Sequence, residues 1–205
     1  MTDSADSRLR LLAITDDLHD GPDGLTARAV AAERGGATLV MLRLKHADGR
    51  TLVEVGRALV AALTIPVIVS ERLDVALACG AGGVHLTSSS MPAVAIRARV
   101  EAGFLIGASV SSASDLESAT GADYATIGPV FGAGTSALGL AGFARLARAC
   151  GIPAVAIGGV DAEVAAQLRE AGAAGVAAIG AVFGAPDPEV AARALVGGTY
   201  ERQSP

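Results

Sequence analysis

The chain has 205 residues, of which 51% are hydrophobic and 18% are charged. This length can bury one sizeable core but is short for two enzyme domains, and the positive mean hydropathy excludes an intrinsically disordered chain. A net charge of −5 with 3% aromatic residues argues against a nucleic-acid partner, which needs basic surface and stacking side chains.

The terminal and cysteine patterns indicate a cytoplasmic protein. The polar N-terminus shows no apolar segment before a cleavage site, and the longest charge-free run, 124–144, is broken by glycines. We therefore expect no signal peptide and no membrane partner. Cys79 and Cys150 have neither disulfide-framework nor metal-ligand spacing, so we expect buried, inert thiols in a reducing compartment.

Eight short β-rich runs alternate with Ala-rich helical stretches. Most of these runs are continuously apolar, which is typical of parallel strands buried on both faces. The predicted strands are Leu9–Thr15, Thr38–Leu42, Pro66–Val69, Gly83–Leu86, Phe104–Ser109, Tyr124–Ile127, Ala154–Ile157 and Gly175–Ile179.

The intervening segments carry helix signals. Apolar residues in Thr51–Leu63 recur at three- and four-residue spacing, which predicts an amphipathic helix. Ser114 with Glu117 three residues later predicts a capping box. Asp161 and Pro188 each mark a predicted helix start.

Eight strand–helix units in 205 residues give about 25 residues per unit, which matches the lower size limit of a (β/α)₈ barrel. A doubly wound open sheet usually has five or six strands and a Gly-rich first turn, and the first turn here, ITDDLHDGPDG, has no such motif. The predicted fold class is α/β, a single-domain (β/α)₈ TIM barrel over residues 1–205, with a core at about 9–197 and polar tails.

The active site of such a barrel lies at the carboxyl ends of its strands, so the residues that follow each strand are the informative ones. Arg43 and Lys45 follow the second strand and are two residues apart, which points both side chains to the same side of an extended chain. They form either an anion clamp or a solvated basic edge, and their position at the mouth favours the clamp. His46 lies beside them and is the better candidate for a titrating histidine.

Glycines follow the last two strands. Gly158, Gly159 and Gly180 would let a ligand approach bare backbone N–H groups, and the corresponding loops of such barrels frequently bind phosphate. Ile179 precedes Gly180, and Ala181–Phe183 is predicted as the short extra helix. The alternative is that these are ordinary glycines at helix starts.

The segment after the sixth strand, IGPVFGAGTSALG, is Gly-rich and uncharged. Thr135 and Ser136 would donate hydrogen bonds to an anion if this loop closed over the substrate. A flexible connection explains the same composition equally well.

Hydroxyl side chains dominate the ends of strands three to five. Ser109 ends the predicted fifth strand, Ser111 follows it, and Glu71 is the carboxylate expected at the mouth after the third. A single carboxylate supplies few of the oxygen ligands that magnesium prefers. His85, within the fourth strand, is more often a satisfied core histidine than an acid–base group.

The strand-end segments, taken together, resemble the thiamin phosphate synthase and TenI (thiazole tautomerase) family. The matching stretches are LLAITDD, LVMLRLKHAD, IPVIVSERLDVALACGAGGVHL, IGASVSSASDLESATGADYATIGPVF and IPAVAIGGVDAEVAAQLREAGAAGVAAIGAVF. They follow the family order and cover most of residues 9–184.

The resemblance implies a (β/α)₈ barrel and two chemistries. Thiamin phosphate synthase joins a hydroxymethylpyrimidine diphosphate to a thiazole phosphate, with magnesium holding the leaving pyrophosphate. TenI-type enzymes shift a proton to aromatise a thiazole phosphate carboxylate without metal. Both hold the thiazole phosphate at the loops after strands seven and eight.

Several family positions carry other residues in this chain. Met41 replaces the glutamine before Arg43, and Ser70-Glu71 replaces Asn-Asp. Ser90 replaces a second metal-binding aspartate, and Ser136 replaces a lysine. Ser111 stands where the TenI branch has a catalytic histidine. These replacements predict that the magnesium pyrophosphate site is largely dismantled.

From these patterns we expect an enzyme of the thiamin pathway that acts on a small phosphorylated substrate. A TenI-like, metal-independent proton shift is the first hypothesis, with His46, Glu71 or Ser111 as the catalytic group. A divergent thiamin phosphate synthase is the alternative, and a phosphate-ligand-binding module without turnover is the third. No cofactor is expected, except magnesium if the synthase alternative holds, and the Ala-rich helix faces are compatible with a homodimer.

Overall fold

The structure is a computed structural model that describes residues 7–132 and 137–197. Within these ranges eight parallel strands close into a barrel, and each strand pairs with its two neighbours in sequence, β1 with β8 included. The strands are β1 Leu11–Ile14, β2 Leu39–Leu42, β3 Val67–Ser70, β4 Gly83–Leu86, β5 Leu105–Val110, β6 Tyr124–Ile127, β7 Ala154–Ile157 and β8 Gly175–Ala178. The predicted fold class and all eight predicted strands are confirmed, with boundaries that differ by at most two residues.

Helices connect most of the strands on the outside of the barrel. They are α1 Gly21–Arg34, α2 Gly49–Ala62, α3 Leu73–Cys79, α4 Ala93–Arg97, α5 Gly139–Cys150, α6 Ala162–Glu170, α7 Gly180–Phe183 and α8 Pro188–Leu195. A 3₁₀ turn, Ala113–Asp115, follows β5. Among the described residues, none of the helices has the length and hydropathy to cross a bilayer.

The predicted helix starts are confirmed at two positions and wrong at one. Asp161 caps α6 by accepting hydrogen bonds from the Glu163 and Val164 N–H groups, and Pro188 occupies the first turn of α8. The capping box predicted at Ser114 lies instead at Ser112, whose partner is Asp115. The Asp115 carboxylate accepts from the Ser112 hydroxyl and also from the Ser111 and Ser112 N–H groups, which precede the turn.

The core has two layers. The larger one lies between the strands and the helices. The smaller one fills the barrel interior with inward-facing side chains, and its buried members are Leu9, Leu12, Ile14, Leu39, Met41, Ile68, Leu105, Tyr124, Val155 and Ala177. The expected burial is confirmed for Cys79, in the outer layer, and is wrong for Cys150, which is half-buried against that layer. Burial raises the pKa of both thiols, as expected for inert cysteines.

The start of β8 has no room for a side chain. A Cβ atom at Gly175 would lie 1.7 Å from the Leu9 carbonyl oxygen and 2.9 Å from the Arg10 Cα. These are backbone atoms, so they move only if the strand moves. The glycine therefore allows β8 to pass the segment that leads into β1.

We predict that Gly175→Ala lowers the free energy of unfolding by about 3 kcal/mol, because the added methyl overpacks against backbone. Gly103→Ala is the matched control, since a Cβ there meets nothing within 4 Å. Urea denaturation measures both. Equal stability of the two variants would show that β8 is displaced freely at this point.

Candidate active site

The carboxyl ends of the eight strands surround a central cavity of about 330 Å³. Five of the residues predicted from the sequence line it: Arg43, Ser109, Ser111, Gly158 and Ile179. The remaining lining residues are Ile14, Met41, Ser70, His85, Thr87, Val110, Thr126, Gly128, Pro129 and Ile157. The cavity wall is thus mainly apolar, with hydroxyl groups and a histidine on one side.

Two further pockets flank the cavity, and both are lined by Arg43, Lys45 and His46. One, of about 510 Å³, also contains Glu71. The other, of about 390 Å³, is formed with the loop after β1 and contains Asp16, Asp17, His19 and Ile179. Arg43 lines the central cavity and both flanking pockets, so it is a positively charged residue that all three share.

The backbone of Arg43 is held by a threonine that sequence reasoning missed. Thr15 is fully buried at the end of β1. Its hydroxyl oxygen accepts from the Arg43 N–H at 2.8 Å, and the hydroxyl donates to the Arg43 carbonyl at 3.1 Å. Both polar groups of one peptide residue are therefore fixed by a single side chain. A β-branched residue at a strand end gives no sequence signal for this role.

Glu71 lies on the rim and adopts an unusual backbone conformation. Its φ of 62° is the one left-handed value among the described non-glycine residues. Its N–H donates to the His85 carbonyl at 2.8 Å, and its carboxylate accepts from the Thr87 hydroxyl at 2.6 Å. The carboxylate is thus tied to the end of β4. Strain of this kind is common at functional sites.

Ser111 is hydrogen-bonded to a neighbouring carboxylate through both its hydroxyl and its N–H group. Its hydroxyl and its N–H both donate to Asp115, at 2.7 and 2.8 Å. These hydrogen bonds, the hydroxyl of Ser111 first, lower the pKa of Asp115. The carboxylate consequently remains ionised and the serine remains its donor, so neither group is poised as a base near neutral pH.

His85 lies inside the barrel, 4% exposed, and touches the cavity from below. Its Nδ1 lies 3.0 Å from the Tyr124 hydroxyl oxygen. Its Nε2 lies 3.0 Å from Ser109 Oγ and 3.1 Å from Thr126 Oγ1. Burial lowers the pKa of His85 to about 4, so the ring is neutral at physiological pH. The interpretation as a satisfied core histidine is supported, and Tyr124 and Thr126 are partners that the sequence reasoning missed.

The glycines after β7 adopt left-handed conformations. Gly158 has a φ of 95° and Gly159 a φ of 64°. A Cβ atom on Gly158 would lie 2.7 Å from Pro129, and one on Gly159 would lie 2.7 Å from Phe131. These two glycines therefore let the loop after β6 pack over the end of β7, which is a structural requirement in addition to any ligand.

Gly180 differs from them. It begins α7, the short helix predicted at Ala181–Phe183, and a Cβ atom there would meet nothing within 4 Å. With Gly159 and Ile179 it lines a pocket of about 340 Å³. The first N–H groups of a helix have no partner within the helix, so this open space is adjacent to free donors. Thr135 and Ser136 lie outside the described residues.

Comparison with known proteins gives concordant matches. A family model described as thiamine monophosphate synthase matches residues 11–182. The thiamine-phosphate synthase of Roseiflexus sp. (strain RS-1) is 40% identical over 192 residues, which are 89% of this chain and 81% of the relative. That of Azorhizobium caulinodans is 40% identical over 197 residues, 91% of this chain and 93% of the relative.

Among solved structures, the thiamine phosphate pyrophosphorylase from Pyrococcus furiosus superposes with a TM-score of 0.83 at 34% identity, covering 93% of this chain and 95% of that one. A 3-hexulose-6-phosphate synthase has a TM-score of 0.70 at 21% identity, covers 91% of this chain and 98% of its own, and shares the fold alone. The family match extends over the whole barrel from β1 to α7. The chain belongs to the thiamine monophosphate synthase family.

Proposed function

We propose that this chain is a thiamin phosphate synthase that joins hydroxymethylpyrimidine diphosphate to thiazole phosphate and releases pyrophosphate. The observation that carries the proposal is about 40% identity, over nine-tenths of the chain, to relatives that bear this name. From the sequence alone this reaction was the alternative and the TenI-like proton shift was the first hypothesis. The comparisons and the geometry of the mouth together favour the synthase.

The thiazole phosphate is assigned to the loops after β7 and β8. Gly159 and Gly180 border the same pocket, and the N–H groups of Gly180 and Ala181 begin a helix. Backbone donors at a helix start are suited to a phosphate group. Ile179 lines both this pocket and the central cavity, so a ligand with its phosphate here would place its ring in the cavity.

The cavity fits heteroaromatic rings. Its volume of about 330 Å³ lies at the lower end of the range for small-molecule sites. Ile14, Met41 and Ile157 provide apolar wall, and hydroxyls of the β5 and β6 ends provide hydrogen bonds on one side. A flat ring with a few polar atoms matches this lining better than a sugar, which would need polar groups all round.

The diphosphate is assigned to Arg43 and Lys45 at the rim. Neither residue forms an ion pair within the described part of the chain. Arg72, by contrast, is paired with Asp74 through two hydrogen bonds of 2.8 and 2.6 Å. Arg43 and Lys45 are therefore the cations free to hold the diphosphate in the proposed coupling, in which its C–O bond breaks, the electron pair moves to the leaving oxygen and the thiazole forms the new bond to that carbon.

The family resemblance implies magnesium, and the residues present do not form a magnesium site. Among the described residues no group of three or more His, Cys, Asp or Glu side chains converges. Glu71 is bound to the Thr87 hydroxyl, and Ser90, at the second family position, has a hydroxyl that accepts from the Thr87 N–H at 3.0 Å. Neutral hydroxyls replace the charge that would attract a hard cation. We assign no step to a metal.

The three groups suggested for a proton shift are poorly placed for it. Ser111 faces the central cavity but is hydrogen-bonded to Asp115. His46 and Glu71 line the side pockets and not the central cavity. A general base must lie within hydrogen-bond reach of the proton it removes. The proton shift therefore remains a hypothesis without a specific supporting contact.

The proposal is tested by incubating the purified chain with the two substrates, with and without a chelator. We expect thiamin phosphate and pyrophosphate in a one-to-one ratio, with and without the chelator, because no set of metal-ligating side chains converges in the described part of the chain. Thiazole tautomerisation without coupling would replace the synthase by the proton shift, and saturable binding without turnover would indicate a binding module. Chelator-sensitive coupling would show that Glu71 with the substrate phosphates holds magnesium.

The phosphate pocket is tested by Gly180→Leu. A Cβ atom at Gly180 meets nothing within 4 Å and the position lines the pocket, so we predict at least a roughly tenfold loss of thiazole phosphate affinity with little change in stability. Gly103→Leu, at a position just before β5 where a Cβ atom likewise meets nothing within 4 Å, should leave the affinity unchanged. Calorimetry measures both, and equal affinities in the two variants would place the phosphate elsewhere.

The support of Arg43 is tested by Thr15→Val, which leaves the Arg43 N–H and carbonyl without their partner. We predict a loss of about 1 kcal/mol in stability and a three- to tenfold rise in the KM for the pyrimidine diphosphate. Thr38→Val is the matched control, because the Thr38 hydroxyl bridges the Leu11 N–H and carbonyl in the same way at the opposite end of β1. A similar rise in KM in both variants would mean that the effect is one of general stability.

A further inference from the structure

A row of buried polar side chains crosses the barrel interior beneath the cavity. His85 pairs in register with Gly107, and Gly107 pairs with Tyr124. Ser109 and Thr126 are register partners in the row above, on the same inward-facing side. The imidazole therefore has a phenol on one nitrogen and two hydroxyls on the other.

The direction of the first hydrogen bond follows from burial. Tyr124 has no solvent exposure, and His85 Nδ1 is the partner of its hydroxyl among the residues that the structure describes. Burial raises the pKa of Tyr124, so the phenol keeps its proton. If Nδ1 carried the proton, it would donate to the phenol oxygen, and the buried phenol proton would then have no acceptor among the described residues. Tyr124 therefore donates to Nδ1.

The second direction follows from the first. A neutral imidazole has one N–H, and with Nδ1 as acceptor that N–H is Nε2. It points at Ser109 Oγ and Thr126 Oγ1, which lie at 3.0 and 3.1 Å and so act as acceptors. Their own protons are then turned away from the imidazole. Both residues line the central cavity, and no other described side chain or backbone group accepts from these hydroxyls.

We propose that Tyr124 is a positioning residue that acts through His85, and that it turns the Ser109 and Thr126 hydroxyls into a pair of hydrogen-bond donors facing the cavity. Thr126 is thereby a specificity-determining residue. The pair selects a ligand edge that carries an acceptor atom, such as an unprotonated ring nitrogen or a carboxylate oxygen. The nature of the ligand rests on the proposed function, whereas the proton arrangement does not.

The proton arrangement is tested by ¹⁵N NMR of histidine-labelled protein carrying His19→Gln and His46→Gln, in which the remaining signals belong to His85. We expect Nδ1 to be the unprotonated nitrogen and Nε2 to carry the proton. Tyr124→Phe should produce a measurable population with the proton on Nδ1. A protonated Nδ1 in the parent, or an unchanged tautomer in the Tyr124→Phe variant, would overturn the role of Tyr124.

The donor pair is tested by measuring the affinity for thiazole phosphate and, separately, for the pyrimidine diphosphate. Thr126→Val should weaken one of the two about tenfold, and Thr126→Ser should stay within about twofold of the parent because it keeps the hydroxyl. Thr38→Val controls for the loss of a hydroxyl remote from the cavity. Unchanged affinities in Thr126→Val would overturn the pair. If the parent binds neither substrate, the proposed function fails, and the NMR result still decides the proton arrangement.

Discussion

Closure of eight short parallel strands into one ring is the constraint on which the remaining structure depends. The strands are only four to six residues long, so every strand end lies close to the mouth and every inward-facing residue belongs to one of a few rows. Side chains of a strand alternate between faces, and a slip of one residue would turn His85 and Thr126 outward. The ring fixes this register on both sides of every strand.

The buried polar row that contains His85 and Tyr124 packs closely within the barrel core. A Cβ atom at position 107 would lie 2.3 Å from the Tyr124 ring and 2.4 Å from His85 Nδ1. Gly107 thus provides the space in which the phenol and the imidazole meet, with ring centroids 5.6 Å apart. Most other inward-facing residues nearby are aliphatic, so His85 and Tyr124 hydrogen-bond within the row. The Ser109 and Thr126 hydroxyls are the groups of this row that a ligand in the cavity can reach.

The sequence predicted the strand positions, two helix starts and two residues of the barrel mouth, because each of these features depends on a single strand or helix. Continuous apolar runs located every strand, and Asp161 and Pro188 marked helix starts, because these signals are local. Arg43 and Glu71 were placed at the mouth for the same reason: each follows its own strand. The capping box was misplaced by two residues because Ser112 and Ser114 are equivalent as patterns, and only the position of Asp115 distinguishes them.

What the sequence did not show depends on pairs of strands. The contact of Thr15 with Arg43 joins β1 to β2, and the contacts of His85 with Tyr124 and Thr126 join β4 to β6 across β5. Such contacts require the register, which no single segment contains. The crowding of Gly158 and Gly159 by the loop after β6 is of the same kind, since the glycines alone suggested either an approach to ligand or ordinary helix starts.

At the mouth of the barrel, most charged side chains lie in the flanking pockets and the apolar wall lies in the central cavity. Among the described residues, Arg43 is the charged residue that lines the central cavity, while Lys45, Glu71, Asp16 and Asp17 line the flanking pockets. In the proposed reaction, a ring in the cavity would be oriented by apolar contact and by the direction of neutral hydrogen bonds, and charge would act on it from one side. A leaving diphosphate would develop its charge on that side, towards Arg43. In the proposed reaction, Arg43 and Lys45 would be the positively charged side chains at the described rim that stabilise this charge. In the proposed reaction, the Thr15 hydroxyl that fixes the Arg43 backbone would therefore determine where the diphosphate is held.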